Sequence, residues 1–209
     1  MAIHMAIEKS DRLELDKLIK LATGNWSQPD AEKTSLYITR LSTPLCPMTA
    51  CASSQGVCLL EFSDNQRIIR ELKDLVKHLD AAVLPETNPH LDQLRAELDA
   101  YFAGQLKSFT VPLHTPGTAF QQAAWHMLRQ IPYGETRSYK QQARAIGNPK
   151  AIRAVAAANG QNRVSIVIPC HRVIGSDGSL TGYGGGLDRK KWLLDFEKAR
   201  GMQIRLFDE

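Results

Sequence analysis

The stretch 111–117 constrains the fold most, because the hydrophobic period changes across it. It holds Pro112 and Pro116, and proline fixes φ and removes a backbone donor, so a pair of them interrupts any regular element. Before it, short β-branched runs stand between amphipathic stretches; after it, apolar residues recur mostly at helical spacing. A chain of 209 residues can make one large domain or two small ones, and the change of pattern predicts two. The expected parts are a partly helical N-terminal extension of unassigned role (1–34), an α/β domain (35–110) and a mostly helical domain (111–209).

In the extension, Leu15, Leu18, Ile19 and Ala22 fall on one helical face that Gly24 closes. Runs 35–41, 48–52 and 57–62 are strand-like, and Pro44, Pro47 and Gly56 in their links predict a small antiparallel meander. A helix over 65–79 follows, with Ile68, Leu72, Leu75 and Leu79 on its apolar side. Asn88 and Pro89 mark a further helix start and Gly104 its end. In the second half, Thr118 and Gln121 make a capping box. Two short helices, 138–146 and 149–159, flank Gly147 and Asn148, with Pro149 in a first turn and Gly160 just past an end. That is a helix-turn-helix pattern.

Charge separates the halves. Residues 1–110 carry 12 Lys and Arg against 15 Asp and Glu, whereas residues 111–209 carry 14 against 7. The segment 136–172 holds seven basic residues and no acid. A basic, acid-free run suits a polyanionic partner such as DNA, or else is a solvated face. The helix 149–159 is nearly all alanine on one face, with Arg153 at its middle. Those alanines either pack on the domain's own core or permit close approach to another surface. No apolar run reaches the ~20 residues of a membrane span, and the N-terminus lacks a signal-peptide core. Four cysteines are too few for a disulfide framework, which predicts a reducing, intracellular setting. Cys46, Cys51 and Cys58, with four and six residues between them, match no common zinc spacing, so no metal is expected.

Cys170 is different. The β-branched run 164–168 reads as a buried strand that Pro169 stops, and Cys170, His171 and Arg172 follow directly, ahead of a glycine-rich loop. Only a thiolate is a strong nucleophile, and it needs a neighbouring base or positive charge. His171 can be that base if a third group orients it. Glu197 follows Leu193 by four residues in a helix capped by Asp188, which puts both on one face. It either points into the core and requires a partner there, or lies on the border of the face, paired with Arg200 or Lys198.

The segments "IPCHRVI" and "GYGGG", with "RAVAAANGQN" upstream, closely resemble the O6-alkylguanine-DNA alkyltransferases over 117–200, and more loosely back to about residue 35. The resemblance implies a ribonuclease-H-like first domain and a helical second domain with a helix-turn-helix. It implies direct-reversal DNA repair: transfer of an alkyl group from O6 of guanine, and from O4 of thymine as well, to Cys170, once per molecule and without a cofactor. By the same resemblance, His171 acts through a water molecule and is oriented by Glu197; Tyr139 protonates the departing guanine; Asn162 bonds within the active-site loop. Arg153 enters the stack in place of the flipped nucleotide, with Lys150, Ala151, Ala154 and Ser138 against DNA. Val173, Tyr183, Gly184, Gly185 and Asn159 form the substrate pocket, the carbonyls of Cys170 and Val173 reading the guanine amine. Gly184 stands where some members have serine, and Arg163 where proline is frequent. The implied partner is double-stranded DNA approached from the minor groove by a monomer in the bacterial cytoplasm, or in another compartment with access to DNA. A cysteine hydrolase, a lesion-binding module without transfer and a DNA-binding regulator are the competing classes.

Overall fold

The computed structural model describes residues 7–24, 32–64 and 66–205, with side chains to Arg200. The expected extension therefore lies in part (1–6 and 25–31) outside the described residues. The chain divides into two compact units between Pro116 and Gly117.

In the first unit, α1 (Lys9–Thr23) ends at Gly24, whose φ of 80° is the left-handed conformation that glycine adopts without a Cβ penalty. Three strands follow: β1 (Thr34–Leu41), β2 (Met48–Ser53) and β3 (Gly56–Phe62). Next come α2 (Arg67–Leu79), β4 (Ala81–Leu84) and α3 (Pro89–Phe102). The sheet order is β3-β2-β1-β4. β1, β2 and β3 form the expected meander, but β4 lies parallel to β1, so the sheet is mixed and not wholly antiparallel. The parallel strand is possible because α2 serves as the crossover.

α1 is part of this unit's core. Leu15, Ile19 and Ala22 pack with Ile68, Leu72 and Leu75 of α2 against Leu36, Ile38, Cys51, Cys58 and Val83 of the sheet. Every residue of β2 and β3 is buried, because α3 adds Leu91, Leu94, Leu98 and Tyr101 to the unit's interior. Cys51 and Cys58 sit in this apolar packing, and burial pushes both thiols upward in proton affinity. Among the described residues no group of three or more His, Cys, Asp or Glu is placed to hold a metal ion, and no helix is long and apolar enough to cross a membrane.

The second unit opens with α4 (Ala119–Arg129), which starts at the Thr118–Gln121 capping box. A two-residue strand β5 (Arg137–Ser138) leads into α5 (Tyr139–Ala145), and α6 (Ile152–Gly160) follows. α6 begins three residues later than its sequence suggests. Pro149 lies before the helix, in a turn that the bond from Ala151 N to Asn148 O closes, and Gly160 is the helix's last residue.

The run 164–168 is buried but is not a strand. Ile168 N donates to Val164 O at 3.0 Å and Val167 N to Ser165 O at 2.8 Å, which closes a tight loop. Asn162 takes the groups that a sheet ladder would otherwise have used: Val164 N and Ile168 O. Ile166 sits at φ 71°, where a β-branched side chain is rarely found. The loop leads into a 3-10 turn (Cys170–Arg172), strand β6 (Val173–Ile174) and helix α7 (Leu187–Arg205). β6 pairs in parallel with β5, so Val173 lies beside Arg137 and Ile174 beside Ser138. The bond from Lys190 N to Gly186 O opens α7, leaving Asp188 in its first turn and not at its cap.

Because α1 fills the first unit's core, Leu15→Ala is expected to lower the stability of that unit by roughly 2–5 kcal/mol. Leu13→Ala, at a position 57% exposed, is expected to change it by less than about 0.5 kcal/mol. Denaturant melts of both variants decide this, and equal effects would contradict an integral α1.

Candidate active site

Asn162 fixes the thiol. Its amide nitrogen donates to Ile168 O at 2.8 Å and to Cys170 Sγ at 3.2 Å, while its oxygen accepts from Val164 N at 3.0 Å. One buried side chain thus closes the loop and aims a donor at the sulfur. Cys170 is 9% exposed.

His171 is wholly buried, and its Nε2 lies 2.8 Å from Glu197 Oε1. Glu197 reaches this position because Lys190, Leu193 and Glu197 repeat at i, i+3 and i+7 along α7, and all three are 0% exposed. Of the two placements that the sequence leaves open, the core-facing one is found. Arg172, which sequence reading did not place in the site, grips the same carboxylate with two bonds of 2.9 Å, Nε to Oε2 and Nη2 to Oε1. Its Nη1 donates to Ile131 O at 2.7 Å, and Gly134 N donates to Glu197 Oε2 at 3.1 Å. Burial by itself would raise the Glu197 carboxyl, but the charges and hydrogen bonds of His171 and Arg172 outweigh it and hold the group well below its ordinary 4.5. Burial holds His171 below its ordinary 6.5, against the pull of Glu197.

A carboxylate only accepts, so Nε2 of His171 carries the proton of the shared bond. In a neutral ring that leaves the lone pair on Nδ1, an atom that is buried and has no hydrogen-bond partner among the described residues.

Tyr139 begins α5, and the β5–β6 pairing sets its N-cap, Ser138, beside Ile174. Its hydroxyl lies 3.1 Å from Thr181 O and 3.2 Å from Gly182 O, and burial raises its proton affinity. Lys190, also missed from sequence, donates to both Val173 O and Thr181 O at 2.6 Å and lies 5.9 Å from the centre of the Tyr139 ring. Burial lowers its ammonium to about 8. The 190/193/197 spacing is the signal that could have revealed it. The two carbonyls expected to read a base each already accept one bond: Val173 O from Lys190 and Cys170 O from Val173 N. A carbonyl oxygen has two lone pairs, so one accepted bond does not preclude a second.

Around the site, Tyr183 and Gly184 are half-buried, and Gly185 is buried, its carbonyl accepting from Arg189. Asn159, expected in the pocket, is buried and holds α6 to α5. Its amide exchanges two bonds with Gln142, at 3.0 and 2.7 Å, because α5 and α6 bury these side chains against each other. Ser138 caps α5 by accepting from Gln141 N at 3.1 Å. On α6, Val155, Ala158 and Asn159 face inward. Ile152, Arg153, Ala154, Ala156 and Ala157 face solvent, with Lys150 exposed just before them and Ala151 half-buried. Arg153 has no hydrogen-bond or ion-pair partner among the described residues.

The unfolded chain binds a proton at residue 197 before the folded one does as pH falls. The stability that Glu197 contributes is therefore complete above about 4.5 and is lost in more acid solution. Glu197→Gln strands a buried guanidinium and is expected to cost roughly 3–5 kcal/mol at neutral pH. The gap from the unaltered chain should narrow below about pH 4. Melts across pH test this, and a gap independent of pH would contradict it.

Comparison with known proteins identifies the family. Residues 119–199 match the family described as 6-O-methylguanine DNA methyltransferase, DNA binding domain, and residues 36–115 match its ribonuclease-like domain. A methylated-DNA–protein-cysteine methyltransferase of Methanosarcina acetivorans is 41% identical over 162 residues, covering 78% of this chain and 98% of that protein. One from Mycobacterium tuberculosis is 57% identical over 113 residues, covering 54% and 68%. The crystal structure of the M. tuberculosis O6-methylguanine methyltransferase is 41% identical and superposes with a TM-score of 0.67, covering 79% of this chain and 94% of the other. The M. tuberculosis OGT in complex with DNA is 40% identical and gives 0.66 over the same shares. With both of its domains matched, the chain belongs to the methylated-DNA–protein-cysteine methyltransferase family.

Proposed function

We propose that this protein repairs DNA by direct reversal, moving an alkyl group from O6 of guanine, and from O4 of thymine, onto Cys170. The observation that carries the reading is a buried thiol that receives a donor from Asn162 and is followed directly in the chain by His171, itself anchored to Glu197, in the unit that carries an exposed, acid-free α6. In the proposed step His171 Nδ1 takes the thiol proton through a water molecule. The thiolate attacks the alkyl carbon, a sulfur–carbon bond forms, and the carbon–oxygen bond breaks with its electrons going to the base. Tyr139 supplies a proton to the leaving guanine, and a phenol suits that task because the base gains negative charge. The donor from Asn162 favours negative charge on the sulfur. The thioether does not revert, so each molecule acts once.

A thiol in such a recess cannot reach O6 inside a duplex, so the nucleotide must be flipped out, at a cost of a few kcal/mol. α5 and α6 serve as the helix-turn-helix, and α6 enters the minor groove, where its alanines permit close approach. Arg153 fills the vacated stack, and Lys150, Ala151 and Ala154 lie against the backbone. Phosphate contacts carry no sequence information, which suits a lesion reader. Tyr183, Gly184 and Gly185 wall the pocket, and the carbonyls of Cys170 and Val173 read the exocyclic amine. The first unit is ribonuclease-H-like, and the protein works as a monomer.

Repair should be stoichiometric. A progress curve on duplex DNA carrying O6-methylguanine is expected to stop at one alkyl group per protein, and continued turnover would point to a hydrolase. Cys170→Ala should lose transfer and keep DNA affinity. Arg153→Ala is expected to slow repair of duplex DNA much more than transfer from free O6-benzylguanine, which needs no flipping. The duplex penalty should lie within a few kcal/mol. Equal slowing on both substrates would remove Arg153 from the stack-filling role.

A further inference from the structure

We infer that Arg172 is a positioning residue for transfer: by occupying both oxygens of Glu197, it keeps His171 an uncharged base. This rests on the proposed role of His171. A wholly buried imidazole beside a wholly buried carboxylate has two ways to settle. Alone, the pair favours proton gain by the ring, because an isolated buried carboxylate demands a counter-charge. A protonated ring donates from both nitrogens and has no lone pair with which to accept the thiol proton. The Arg172 guanidinium changes the balance. It lies along the Glu197 carboxylate with bonds of 2.9 Å to each oxygen, so Arg172 and Glu197 already cancel. His171 then needs only to donate a neutral N–H to Oε1, which fixes its tautomer and leaves Nδ1 as the acceptor.

Two further contacts hold the guanidinium in that plane: its Nη1 on Ile131 O at 2.7 Å, and the Tyr133 ring, whose centre lies 5.7 Å from Cζ. The other titratable groups near the ring do not replace Arg172. Lys190, from α7, points its ammonium at the carbonyls of Val173 and Thr181. Tyr133 is raised to about 12 and Tyr139 is raised as well, so both stay neutral. Cys170 adjoins His171 in the chain, and Arg200 lies over the Phe196 ring.

The test is the titration of His171 by nitrogen NMR in the full chain, together with the pH profile of single-turnover transfer from free O6-benzylguanine. In the unaltered protein His171 should be neutral at pH 7 with its proton on Nε2; an imidazolium there would overturn the inference. Arg172→Met removes the charge and keeps an apolar stem. It should raise the His171 titration, and with it the acid limb of the rate, by about 1–3 pH units, with activity recovering in alkali below the range where Lys190 titrates. Arg172→Lys keeps the charge and should leave the titration near that of the unaltered chain while the rate falls. An unmoved titration in Arg172→Met, with the rate lowered equally at every pH, would reduce Arg172 to a structural part. A shift in Arg172→Lys as large as in Arg172→Met would refute the charge argument. Should Arg172→Met fail to fold, the unaltered chain and Arg172→Lys decide between these outcomes. The NMR titrations require no transfer, so they stand apart from any failure of Cys170 to accept an alkyl group.

Discussion

The second unit depends on one buried carboxylate. Glu197 accepts hydrogen bonds from His171, twice from Arg172 and from Gly134 N, and these donors come from two separate segments. Arg172 extends the network to Ile131, just past α4. An ion in the interior is costly unless each of its lone pairs finds a donor. That demand fixes the register between α7, the turn after α4 and the Cys170 segment. Gly134 meets it at φ 76°, and a Cβ there would sit 3.4 Å from Glu197 O. A larger residue would be strained in its backbone at the point where the chain must donate to the carboxylate.

Lys190 gives α7 a second role on the same buried face. Its ammonium ties Val173 to Thr181, and so holds the strand after the thiol to the loop that also meets the Tyr139 hydroxyl. The short β5–β6 pairing attaches the start of α5 to that strand. The strand after the thiol, the phenol and the loop are thereby tied together by charge-assisted and backbone hydrogen bonds. This arrangement leaves the outer side of α6 unencumbered, with Arg153 standing from it. On the proposed reading, these are the needs of a reaction in which the protein must meet a rigid duplex and admit a single base.

Much of this was legible in the sequence, and the reasons differ by element. Helices with chemical punctuation were placed well: Thr118 with Gln121, Asn88 with Pro89, and Gly24 each satisfy or end a backbone that would otherwise lack partners. β4 was missed because Asp80 turns the chain straight from α2 into the strand at φ 43°, with neither glycine nor proline to mark the break. The segment 164–168 misled because β-branched residues report burial as well as extension; a side-chain amide, not a ladder, satisfies its backbone. Cys170 and His171 stood out by chemistry, and Glu197 by its place on an apolar face. Arg172 and Lys190 did not, because a charged residue reads as surface until its buried partners are known. A buried amide such as Asn159 serves structure as readily as it serves a ligand, so its bonds to Gln142 could not be read from its type.

The central claim is that Cys170 is the terminal acceptor of an alkyl group from damaged DNA. Its most direct test is peptide mass spectrometry of the full chain after incubation with a duplex bearing one O6-methylguanine. The account predicts one methyl group per molecule, located on Cys170, with an unmodified guanine restored in the strand. An unmodified Cys170 beside a repaired base, or a methyl group on Cys46, Cys51 or Cys58, would contradict it.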